Sequence, residues 1–177
     1  MVGQFHNHGL NGEYKGYRLD DLPQEYFWIF PLRTTYRVTI AKEKPFCFED
    51  YYLGKLTAGY VYESDLASIP PLVDRIWAPS AFRLSGVLHD YGCKHGGLWK
   101  INENGTHTFI KLTRKQMDEL IERMAGAECA LNKFGKVYTW ITEHCIYAGV
   151  RIGAFFGIGK PAKKKPARPR FPTPLTT

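Results

Sequence analysis

Apolar and polar positions change their spacing along this chain. From Tyr26 to Tyr62 the apolar residues come in short runs or alternate with polar ones. Tyr26-Phe27-Trp28-Ile29-Phe30 stops at Pro31, Thr34 to Ile40 alternates, and Phe46 to Leu53 and Thr57 to Tyr62 supply two more candidates. This is the signature of strands. Beyond Pro70-Pro71 the spacing becomes helical. Ser80 is placed to cap a helix over about 81–94, with Phe82, Val87, Leu88 and Tyr91 as its apolar face and His95-Gly96-Gly97 as its end. Residues 98–110 predict a loop or hairpin turning at Glu103-Asn104-Gly105. Thr113-Arg114-Lys115-Gln116 is a capping box that opens a helix to about Gly126, burying Met117, Leu120, Ile121 and Met124. Phe134, Val137, Tyr138, Ile141, Cys145, Ala148 and Ile152 predict a third. The expected fold is α+β: a small antiparallel sheet followed by three main helices.

The two ends differ from the middle. Residues 1–24 are rich in Gly, Asn, His and charge, and predict an irregular N-terminal arm. Residues 25–159 form one globular domain on this reading. Residues 160–177 hold five of the eleven prolines and six basic residues without an acid, which predicts an extended basic C-terminal arm. The net charge of +7 belongs to that arm, because without it 18 basic residues face 17 acidic ones.

Four widely spaced cysteines, Cys47, Cys93, Cys129 and Cys145, contain no CxxC pair. They argue against a zinc ribbon and a disulfide framework, and fit reduced, buried thiols in a protein made in a cytoplasm. Met1 to His8 has neither the basic nor the apolar part of a signal peptide. Residues 137–158 are long enough to span a bilayer, but Glu143, His144 and Arg151 fall inside them. A core helix is expected there, not an integral membrane span. No nucleophile-elbow serine motif or phosphate-cradling glycine loop occurs.

The candidate chemistry sits at His89-Asp90, which ends an apolar helical stretch. Such neighbours are costly to bury unless each finds a partner. Asp118 and Asp65 are the available carboxylates. If Asp118 fixes the His89 ring, the other ring nitrogen can take a proton from water, so His89 and Asp118 are the candidate catalytic pair. Asp90 and Asp65 can offer oxygens to a divalent cation, calcium, magnesium or zinc. A structural hydrogen-bond network explains the same residues, and an Asx-turn explains Asp65.

Three segments, in order, carry a resemblance: Asp65-Leu66-Ala67-Ser68-Ile69-Pro70, Val87-Leu88-His89-Asp90-Tyr91, and Arg114-Lys115-Gln116-Met117-Asp118. Together they resemble a family of phage and prophage proteins, the domain-of-unknown-function 1353 family, over about residues 26–158. Leu66 stands where that family usually has Gly, and Gly92-Cys93 where it often has Leu-Tyr. The resemblance implies a tailed phage, with tail or virion genes nearby. The His-Asp helix followed by an Asp-bearing helix also looks like the core of phospholipase A2 enzymes. By that likeness His89 would activate water, Asp90 would bind calcium and Asp118 would orient the His. The Gly- and Cys-rich calcium loop of those enzymes is missing.

Two functions follow as expectations. The first is a tail- or neck-associated virion structural or assembly protein, made in the host cytoplasm and present in many copies, that docks on neighbours through its terminal arms. Its C-terminal contacts would be Lys163, Lys164, Lys165, Arg168 and Arg170, with Phe171 as the apolar anchor. An acidic protein surface is the expected target and nucleic acid the alternative. The second is a phage-encoded, metal-assisted hydrolase acting on lipid or cell envelope through the His-Asp-Asp cluster.

Overall fold

The structure is a computed structural model. It describes residues 3–8, 16–22, 36–64 and 83–131, the backbone of 26–27 and 30–31, and residues 140, 144, 145, 147, 148 and 151. Ten strands and two long helices follow along these residues. The strands are β1 (Gln4–His6), β2 (Tyr17–Asp21), β3 (Tyr26–Phe27), β4 (Phe30–Pro31), β5 (Tyr36–Ile40), β6 (Cys47–Asp50), β7 (Gly54–Thr57) and β8 (Val61–Ser64). Helix α1 (Arg83–His95) comes next, then the hairpin strands β9 (Gly97–Ile101) and β10 (His107–Lys111), then helix α2 (Arg114–Leu131).

All the pairings are antiparallel. A five-stranded sheet has the order β1-β6-β7-β9-β10, a three-stranded sheet the order β2-β5-β8, and β3 pairs with β4. Sheet therefore dominates, which corrects the expectation of one small sheet followed by three main helices. Two observations account for it. Residues 97–111 complete the larger sheet after α1, and β1 and β2 come from the N-terminal segment expected to be an irregular arm. The expected third helix lies mostly outside the described residues.

Burial explains the register. In β5, Val38 and Ile40 are buried; Val38 stands opposite Leu19 of β2 and the buried Tyr62 of β8. A shift by one residue would turn both into solvent. Phe5 of β1 stacks on Phe46 at 5.6 Å and tilts against Phe48 at 4.9 Å, and Tyr17 of β2 meets Phe46 at 5.0 Å. Phe46 thus joins the two sheets.

Helix α1 buries Leu84, Val87, Leu88 and Tyr91, and α2 buries Met117, Leu120, Ile121, Met124, Ala125 and Cys129. Gly92 leaves room for the end of the Met117 side chain, which a Cβ there would overlap. The capping box forms as expected: Gln116 N donates to Thr113 Oγ1 at 3.2 Å and Thr113 N to Gln116 Oε1 at 2.9 Å. The four cysteines are all free thiols. No helix among the described residues is long and apolar enough to cross a membrane.

Candidate functional site

His89 and Asp118 face each other where α1 meets α2. His89 Nε2 lies 3.2 Å from Asp118 Oδ1, and both side chains are buried. Two arginines complete the carboxylate's shell. Arg114 Nε donates to Oδ1 at 3.1 Å from one turn earlier on α2, and Arg151 Nη1 donates to Oδ2 at 3.2 Å. Burial works to raise the Asp118 pKa. The His89 hydrogen bond, the Arg114 and His89 charges and the Arg151 hydrogen bond outweigh it and hold the carboxyl below its ordinary range. An ionised carboxylate can only accept, so the proton between them sits on His89 Nε2.

The other ring nitrogen is enclosed. Asp90 Oδ1 is 4.0 Å from Nδ1, and Asp90 Oδ2 accepts Ser64 Oγ at 2.5 Å. Tyr62 OH donates to Val87 O at 2.5 Å and Lys94 Nζ to Glu63 O at 3.3 Å. Strand β8 therefore holds α1 at three successive turns. Asp90 takes part in that attachment and His89 lies behind it.

Cys93, one turn beyond His89, joins the cluster. Its Sγ lies 3.5 Å from Nε2 and 3.9 Å from Nδ1. His89, Cys93 and Asp118 each offer one ligand atom within 4.8 Å of the others, the right elements for zinc. The directions do not fit. If His89 and Cys93 shared one zinc at ordinary bond lengths, the sulfur would stand about 5 Å from the second ring nitrogen. At 3.9 Å it lies beside the ring, off both lone pairs. Two guanidinium groups also already satisfy Asp118. Burial pushes the Cys93 thiol up to about 12, so it is not a ready thiolate ligand or nucleophile.

A second buried carboxylate, Glu128 of α2, caps α1. Its Oε1 accepts Leu84 N at 2.9 Å, and its Oε2 accepts Ser85 N at 3.0 Å and Ser85 Oγ at 2.5 Å. These are first-turn amides with no partner inside their helix. Burial pushes the Glu128 carboxyl up to about 7 against the pull of these hydrogen bonds. The sequence reading missed it. The available signal was one carboxylate inside Met124-Ala125-Gly126-Ala127-Glu128-Cys129-Ala130, four residues after a core methionine.

The chain matches no family model, no curated protein and no solved structure. Of the predicted site residues, His89, Asp90 and Asp118 are brought together. Asp65 lies outside the described residues, as do Lys163, Lys164, Lys165, Arg168, Arg170 and Phe171. His6, within the segment expected to be an irregular arm, sits in β1 with its Nε2 2.7 Å from Glu49 Oε2.

Proposed function

We propose that this chain is a structural or assembly protein of a tailed-phage virion, docking on neighbouring virion proteins. The virion context rests on the resemblance carried by Asp65 to Pro70, Val87 to Tyr91 and Arg114 to Asp118. The non-catalytic part rests on one observation: the His89 ring is 2% exposed and enclosed by Asp118, Asp90 and Cys93. A general base must present a nitrogen to water and substrate. Here the ring instead ties α1 to α2, as a buried polar network does when it fixes one packing of a core.

Docking falls to residues 160–177, since residues 4–6 and 17–21 are committed to the sheets. Five cations with Phe171 among them suit an acidic protein surface. The nearly neutral remainder of the chain argues against nucleic acid as the main target.

Two experiments test the reading. Thermal melts with calcium, magnesium or zinc should give the same midpoint as melts without them, and His89→Ala should lose about 1–3 kcal/mol by removing a hydrogen bond to a charged group. A metal-dependent rise in midpoint that Asp90→Asn abolishes would overturn the non-catalytic reading in favour of a metal-assisted hydrolase. Truncation after Gly159 should exclude the chain from assembled particles, and entry at wild-type level would refute docking through the arm.

A further inference from the structure

The hairpin tip between β9 and β10 carries an Asn-Gly pair, Asn104-Gly105, and Glu103 to Thr106 are all exposed. That pair has a chemistry of its own. The side-chain amide of an asparagine can be attacked by the backbone nitrogen of the next residue. Glycine, with no Cβ, leaves that nitrogen unshielded. Among the described residues, nothing beyond its chain neighbours lies within 4 Å of where a Gly105 Cβ would stand. Solvent therefore reaches both reacting groups. The turn nevertheless holds each of them elsewhere. Gly105 N donates to Asn102 O at 2.9 Å, with Gly105 at a φ of 77°. Asn104 Oδ1 accepts Thr106 N at 3.0 Å and Thr106 Oγ1 at 2.6 Å. Thr106 is anchored in turn, its Oγ1 accepting Asn102 Nδ2 at 2.9 Å and its carbonyl accepting Asn102 N at 2.9 Å. The nucleophile thus keeps its proton in a hydrogen bond while the carboxamide is tied to Thr106. Ring closure needs both groups released together, so the tip must open first.

We propose that Asn104 is a site of spontaneous deamidation, latent in the closed hairpin and active when the tip opens. The reaction consumes water and releases ammonia. Gly105 N gives its proton to hydroxide and bonds to Asn104 Cγ, pushing an electron pair onto Oδ1. That pair returns, the Cγ–Nδ2 bond breaks, and Nδ2 takes a proton from water and leaves as ammonia, restoring the hydroxide. Water then opens the cyclic imide at either carbonyl. One opening leaves aspartate at position 104, which can still accept from both Thr106 donors. The other leaves isoaspartate, in which the main chain runs through the side-chain carbon. Isoaspartate lengthens the turn by one main-chain carbon. The bonds from Gly105 N to Asn102 O and from Asn102 N to Thr106 O then lose their register. The lesion falls on the pairing of β10, an outer strand of the larger sheet. The modification leaves a chemical record of how long the hairpin has stood open, and it does not depend on the virion reading.

Peptide mass mapping of the ageing full chain tests it. Samples are held at pH 8 in buffer and, in parallel, in denaturing urea, and the exchange of NH2 for OH at Asn104 is followed with time. Asn11-Gly12, the other Asn-Gly pair of the chain, gives the rate of an unfolded pair in the urea sample. Asn104 should match it there, and should react at least about tenfold more slowly in the folded chain, because several hydrogen bonds must break first. Thr106→Val removes the hydroxyl donor and should speed the native reaction about fivefold, while Thr106→Ser keeps the donor and should match wild type. The comparison of folded and denatured wild type needs no variant, and decides alone if Thr106→Val fails to fold. A native rate equal to that in urea, no reaction at Asn104 in urea, or a folded Thr106→Val that reacts no faster than wild type would overturn the proposal.

Discussion

Glu128 makes the stability of this fold depend on pH in an unusual direction. Its carboxyl is raised from 4.5 to about 7 by burial. The folded chain therefore holds a proton that the unfolded chain has released, and the resulting stability is full below about pH 4.5 and lost as pH rises through about 7. Each pH unit in that window removes about 1.4 kcal/mol. Between pH 5.5 and 8 this group alone takes away about 2 kcal/mol. Glu128→Gln imitates the protonated acid: one oxygen accepts the α1 amides and the NH2 group donates to Ser85 Oγ. The variant should cost about 1 kcal/mol at pH 5.5 through poorer capping. At pH 8 it should match or exceed wild type, because wild type then carries a buried charge. The measurement is the difference in unfolding free energy between wild type and Glu128→Gln at the two pH values, by urea titration. Taking the difference cancels every other titrating group. A two-kcal/mol change equals roughly 4–8 °C in melting midpoint for a chain of this size. A difference that stays constant within about 0.5 kcal/mol, well below the change expected from linkage, would refute the argument that burial dominates this carboxyl.

The Asp118 cluster gives two further expectations. Asp118→Ala should destabilise by about 3–5 kcal/mol, more than His89→Ala, because it leaves the buried His89 N–H and two guanidinium groups without their common acceptor; chemical denaturation compares the two, and equal costs would contradict the shared-acceptor geometry. Cys93, held protonated by burial, should resist iodoacetamide at pH 8 in the native protein and react once denatured; fast native labelling, mapped by peptide mass, would contradict its burial.

The helices Arg83–His95 and Arg114–Leu131 and their meeting point were legible in the sequence because their signals are local, although the second runs past the end expected near Gly126. The capping box at Thr113 and Gln116, the turn at Glu103-Asn104-Gly105 and the His89–Asp118 pairing follow from spacing and from the cost of burying an unpaired imidazole. The sheets were less legible because their partners lie far apart in the chain. Nothing near Gln4 to His6 announces Cys47 to Glu49 as its neighbour, and a three-residue strand gives no measurable period. Residues 98–110 read as a loop or hairpin, but only topology shows that the strand Gly97–Ile101 also pairs with β7. Glu128 was hidden for the opposite reason: a carboxylate looks solvent-facing until the amides that require it are brought alongside.

The strand order of the larger sheet has a consequence for how this chain is made. β7 is flanked by β6 and β9, whose nearest ends are four and forty residues away. As the chain emerges from the ribosome, the β6–β7 hairpin forms while the outer edge of β7 is still unpaired. Its partner follows only after α1 has been synthesised. Pairings of such long separation are slow to close. Over that interval the open edge is a template for the wrong strand. Folding of this protein should therefore be limited by the arrival and docking of the β9–β10 hairpin, and nascent chains stopped short of Lys111 should be the aggregating species.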